Sequence, residues 1–162
     1  MVFYPVEQFQ KTKVLHEELL PPQEEGVIFV SNHIGSYDQF FIAAALGLRP
    51  VHYLVNQKVT TWPVRWNFIY KPSGAVVVNQ QSLRSWKNAK AQLVQLLLHG
   101  HDVFIFPEGT RRGADNLGEF HSGIAQVVRE SGSRVVTLAV KKHSQAIFYT
   151  SSHRLCWRDA AI

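Results

Sequence analysis

The chain has 162 residues, enough for one domain with a real core and too few for two. Its composition, 46% hydrophobic and 18% charged with no low-complexity tract, is that of a globular protein and sets aside a fibrous chain. Seventeen Lys and Arg against twelve Asp and Glu leave a formal charge of +5. Such a surface points to an anionic partner (nucleic acid, an anionic bilayer or a phosphorylated small molecule) without choosing among them. The single cysteine, Cys156, rules out an internal disulfide, fits a reducing compartment and has no motif around it.

Residues 1–25 are polar and apolar by turns, and Pro21-Pro22 ends any helix there. They show no charged start followed by an apolar run, and are read as an N-terminal extension without a signal peptide. Residues 27–30 (Val-Ile-Phe-Val) form a buried strand, followed at once by Ser31-Asn32-His33-Ile34-Gly35-Ser36-Tyr37-Asp38. Residues 39–46 read as a helix that Gly47 closes. The longest apolar run, residues 40–48, is broken by Gly47 and is about half the length that spans a bilayer. The chain is therefore expected to be soluble or peripheral.

Strands are predicted at 51–55 and 75–78, with an aromatic stretch at 59–70 between them. Over 82–99 the apolar positions Trp86, Ala89, Leu93 and Leu96/Leu97 recur at helical spacing, with Ser82 as N-cap. The strand at 102–106 runs into Pro107-Glu108-Gly109-Thr110-Arg111-Arg112. A helix at 122–131, a strand at 134–140 and a weaker strand at 146–150 complete the chain. This alternation predicts a single α/β domain over 1–162, with a largely parallel or mixed central sheet flanked by helices.

Two clusters carry chemistry. His33 and Asp38 are five apart, which inside a regular helix would point them about 140° away from each other. They meet only if His33 sits on the turn leaving the strand and Asp38 in the first helical turn, with Gly35 and Ser36 making the bend. A carboxylate there fixes the imidazole tautomer and stabilises the imidazolium, which describes a general base for an alcohol. The second cluster follows a buried strand, where open α/β sheets bind ligands. Gly109 allows close backbone approach, Thr110 offers a hydroxyl, Arg111 can fork onto a phosphate, and Glu108 can hold Arg111 or a substrate hydroxyl. Taken singly, each cluster also fits a solvated turn.

In order along the chain, Asn-His-x4-Asp followed about seventy residues later by Phe-Pro-Glu-Gly-Thr-Arg resembles the glycerolipid acyltransferase family, of the 1-acylglycerol-3-phosphate type. The resemblance covers roughly residues 27–140. It implies that His33 and Asp38 are the catalytic dyad. It implies equally that Glu108, Gly109, Thr110 and Arg111 bind a phosphorylated acceptor, most simply lysophosphatidic acid in phospholipid biosynthesis. The acyl donor is then acyl-CoA or acyl-carrier protein as co-substrate, with no cofactor. Partners are expected to be that thioester, a lysolipid acceptor and, by peripheral contact, an anionic membrane, with the protein in the cytoplasm. The chain departs from the family where an Arg is usual and Gln80 stands; Arg84, one turn on, is the possible substitute. Thr137 replaces a usual Pro, and His121-Ser122 follow Phe120 where a Lys is common.

Other readings are weaker. His99-Gly100-His101 lacks a further ligand, so no metal site is expected. No nucleotide loop or serine-hydrolase elbow is present. The stretch Lys58, Trp62, Arg65, Trp66, Phe68, Tyr70, Lys71 suits an interface or a core equally. Alternatives to catalysis are a lipid- or acyl-carrier-binding module of the same fold without turnover, and a basic nucleic-acid binder, for which no recognisable module exists.

Overall fold

The computed structural model describes residues 13–15, 20–23, 25–35, 38–47, 49–111, 118–141 and 146–151. Ser36, Tyr37, Arg112 and Cys156 lie outside them. The elements are β1 (Lys13–Leu15), β2 (Ile28–Ser31), α1 (Asp38–Ala45), β3 (Val51–Asn56), β4 (Val76–Val78), α2 (Leu83–Leu98), β5 (Asp102–Ile105), α3 (Gly123–Ser131), β6 (Val135–Lys141) and β7 (Ala146–Ser151). Three short helical turns, Gln57–Thr61, Pro63–Arg65 and Trp66–Tyr70, join β3 to β4.

The strands form one seven-stranded sheet in the order β1-β7-β6-β2-β5-β3-β4. From β6 to β4 every neighbouring pair is parallel, whereas β7 runs antiparallel to β6. Parallel strands are covered on both faces, so their sequences are continuous apolar runs and alternate residues go to opposite cores. Phe29, Tyr53, Phe104 and Val136 join Ile42, Ala45 and Leu46 of the α1 region on one face. Ile28, Val103, Ile105 and Val135 join Ala89, Leu93 and Leu97 of α2 and Val127 of α3 on the other.

Ser82 caps α2 as its sequence suggests, its hydroxyl accepting from Ser85 N at 3.2 Å. Gly47, after α1, has φ +62°, the left-handed turn that closes a helix at glycine. Two features escape the sequence reading, the helical turns within 57–70 and β1. β1 lies within the supposed N-terminal extension and pairs with β7, Lys13 opposite Ala146. Three residues at a sheet edge, paired with a strand far away in sequence, carry too short a pattern to recognise locally.

Candidate active site

The C-terminal ends of β2, β5, β3 and β4 lie side by side, and the site is built from what leaves them. β2 gives way at Asn32, whose amide accepts from Val140 N at 2.8 Å and donates to Val140 O at 2.9 Å. The side chain thus takes over the pairing with β6, which frees the main chain to turn away at His33. Beyond that turn Asp38 opens α1. Its Oδ2 accepts from Ile34 N at 2.7 Å and Gly35 N at 2.9 Å, and lies 2.9 Å from His33 Nδ1. Asp38 is buried, 4% exposed, in the first turn of the helix. The strand-exit geometry expected for the pair is the geometry found.

A carboxylate accepts only, so Nδ1 carries the proton of the neutral ring and Nε2 keeps its lone pair. The imidazole also lies flat on Phe106, ring centroids 3.9 Å apart and planes 15° from parallel. Phe106 in turn meets Phe104 of the core edge-on at 4.9 Å. Tautomer and ring plane are therefore both set before any substrate arrives.

Glu108 turns inward, toward backbone donors. The residue is 3% exposed. Oε1 accepts from His33 N at 3.0 Å and Oε2 from Gly118 N at 2.9 Å. Among the described residues no Lys or Arg forms an ion pair with it. The side chain clamps the His33 main chain to the segment following the β5 turn.

Gly109 has φ +62°, and a Cβ there would lie 2.7 Å from Gln80 Nε2 and 2.8 Å from His121 Nε2. The left-handed φ favours glycine, and a side chain there would displace the ends of Gln80 and His121. Gln80 donates to Gly109 O at 2.8 Å and accepts from Asn56 Nδ2 at 2.9 Å. Where an Arg is usual, a neutral amide strap thus crosses the ends of β3, β4 and β5. On one side of the strap opens a cleft of about 350 Å³ lined by His33, Tyr53, Lys58, Thr110 and Arg111. On the other lies a second cleft of about 340 Å³, bordered by Leu83, Trp86, Pro107, His121 and Ile124. Arg84 is exposed on α2 and borders neither. Tyr53, in the first cleft, has its phenol pushed up to about 12, by burial first and by Tyr70 second. It is a neutral group there, and no base.

His33, Thr110 and Arg111 line one cleft, with Gly109 in its wall, and Asp38 and Glu108 stand behind His33. Asn32 and Phe106 belong to the two motifs, yet the sequence assigns them no role. Their neighbours, Val140 and the His33 ring, become neighbours only through the sheet.

Relatives of this chain carry acyltransferase names. A 1-acyl-sn-glycerol-3-phosphate acyltransferase of Chlamydomonas reinhardtii is 28% identical over 82% of this chain and 39% of its own length. One from Borreliella burgdorferi is 24% identical over 74% of this chain and 47% of its own. A lyso-ornithine lipid O-acyltransferase of Pseudomonas aeruginosa is 26% identical over 72% and 43%. The chain thus spans less than half the length of these curated relatives. The crystal structure of the 1-acyl-sn-glycerophosphate (LPA) acyltransferase PlsC from Thermotoga maritima shares the fold. Its TM-score is 0.61 at 17% identity, over 89% of this chain and 65% of that one. The sequence profile of the Acyltransferase family matches residues 11–141, and on that match the chain belongs to this family.

Proposed function

We propose that the protein is an O-acyltransferase that moves a fatty acyl group from acyl-CoA or acyl-carrier protein to a hydroxyl of a glycerolipid acceptor, lysophosphatidic acid in phospholipid biosynthesis. The observation that carries this reading is the His33–Asp38 pair at the edge of an open cleft, in a chain of the Acyltransferase family. Several relatives are named for that acceptor, and one for lyso-ornithine lipid. The protein works in the cytoplasm, peripherally on an anionic membrane, and needs no cofactor.

In this mechanism His33 Nε2 takes the proton of the acceptor hydroxyl as its oxygen attacks the thioester carbonyl. The C–O bond forms, the tetrahedral centre collapses, and the C–S bond breaks. The proton passes from the imidazolium to the departing sulfur, so no acyl-enzyme is formed. Asp38 holds the ring and stabilises its charged form. Arg111 and Lys58, on the cleft wall, suit an anionic acceptor group. Glu108 acts through His33 as a positioning residue. The test is to offer the purified protein acyl-CoA with a panel of lysolipids and glycerol 3-phosphate, following free thiol and product mass. Acceptor-dependent thiol release with a matching acylated product is expected. Acyl-CoA binding without thiol release for any acceptor would leave a binding module in its place.

A further inference from the structure

The connection from β3 to β4 is apolar on two sides. Inward, Val59 and Trp66 pack against the core and Tyr70 is buried within it. Outward, Trp62, Val64 and Phe68 are 44%, 60% and 79% exposed. Val64 and Phe68 are four apart in consecutive helical turns, which puts them on one side, about a turn apart. Folding accounts for the inward rings, whereas Val64 and Phe68 belong to neither core cluster. Among the described residues the other large exposed apolar side chains, Leu83, Leu98 and Phe120, come singly from the two ends of α2 and the approach to α3.

We propose that residues 57–71 are a bilayer-docking surface, with Trp62, Val64 and Phe68 entering the headgroup–acyl boundary of an anionic membrane. Charge selects this occupant. Lys58 and Lys71 flank the segment and are exposed, and the sequence from 57 to 71 contains no Asp or Glu. Size agrees. Three side chains on short turns fall well below the roughly 1,200–2,000 Å² of a stable protein interface. Interfacial insertion needs only a few rings at headgroup depth with cations beside them. Position completes the case, because Lys58, Val59, Trp62 and Tyr70 also line the cleft that holds His33. A lipid drawn from the interface would reach the base without crossing open water. The proposal rests on the acyltransferase reading only for this last point, the use of the surface.

The experiment is flotation of the full chain with vesicles of equal parts phosphatidylcholine and phosphatidylglycerol, and with phosphatidylcholine alone. Wild type should float with the mixed vesicles at low salt, less with phosphatidylcholine, and less again as salt rises. The double variant V64S/F68S should lose vesicle partitioning by at least about tenfold while melting as wild type does. Its turnover of a monomeric short-chain lysolipid should be unchanged. Lys71→Gln should flatten the salt dependence, and Leu98→Ser, on the far end of α2, should change nothing. Partitioning of V64S/F68S equal to wild type would overturn the proposal, as would an equal loss in Leu98→Ser. So would a wild type that binds no vesicle and whose oligomeric state changes in V64S/F68S, the signature of a protein interface. Vesicle binding through this patch without any thiol release would sink the acyltransferase reading and leave the surface standing.

Discussion

At the scale of single residues, His33 is held three ways: by its ring nitrogen on Asp38, its ring face on Phe106 and its main-chain nitrogen on Glu108. Removing the imidazole ends the first two holds but leaves the main-chain bond to Glu108, and Asp38 keeps the Ile34 and Gly35 N–H groups. His33→Ala should therefore melt near wild type and lose thiol-release turnover by about 10²–10⁴-fold, the share of a general base. A folded mutant within threefold of wild type would rule His33 out as the base. Glu108 predicts a different pattern. In Glu108→Gln the amide NH₂ confronts one of two backbone N–H donors, which costs on the order of 1–3 kcal/mol for the unpaired group. If Glu108 positions His33, kcat falls while donor and acceptor KM stay near wild type. A rise in acceptor KM alone would return Glu108 to the substrate. The pairing of His33 with Asp38 was legible because both ends lie in one short turn. The clamp was not, because Glu108 and His33 are 75 residues apart and meet only once β2 and β5 pair.

At the scale of elements, the opposite end of the sheet is tied by one buried ion pair. Asp102 opens β5, accepts from Val27 N at 2.8 Å ahead of β2, and pairs with Arg49 ahead of β3. Arg49 also donates to Pro21 O at 2.5 Å and Pro22 O at 2.8 Å, and its guanidinium lies 5.4 Å from the Phe29 ring centroid. Four segments thus converge on two side chains, each no more than 7% exposed. Asp102→Asn would leave the guanidinium uncompensated in the interior, a loss of about 3–5 kcal/mol. The expected result is a clear fall in the urea midpoint with little change in turnover per folded molecule, since the site is at the other end of the strands. An unchanged midpoint would mean that water reaches the pair. Neither residue is singled out by the sequence, where Arg49 belongs to no motif and Asp102 simply begins the strand at 102–106. Their charges become informative only when burial is known.

At the scale of the whole molecule, the apolar runs at β2, β4, β5 and β6 made a parallel α/β sheet legible, because strands covered on both faces need such runs. Strand order and the joining of β1 to β7 were not, since both are settled by contacts between remote segments. The same remoteness packs Tyr53 between Tyr70 and Phe104, with centroids at 6.1 and 5.5 Å, and raises its phenol to about 12. Global stability should record this. Below pH 10 both folded and unfolded chains keep the phenolic proton, and Tyr53 adds no pH dependence. Between about 10 and 12 the unfolded chain releases the proton and the folded one retains it, so stability falls as pH rises. The loss through this window is on the order of 3 kcal/mol, levelling off once the folded phenol also ionises. Tyr53→Phe keeps the ring and removes the titration. Its hydroxyl reaches Gln39 O only at 3.5 Å, so the neutral-pH cost of losing it is small. Urea midpoints of wild type and Tyr53→Phe should then nearly coincide near neutrality and separate in the alkaline range, with the variant more stable. Parallel decline of the two would show that Tyr53 titrates in the folded protein as it does in the unfolded chain, and that its surroundings are open to water.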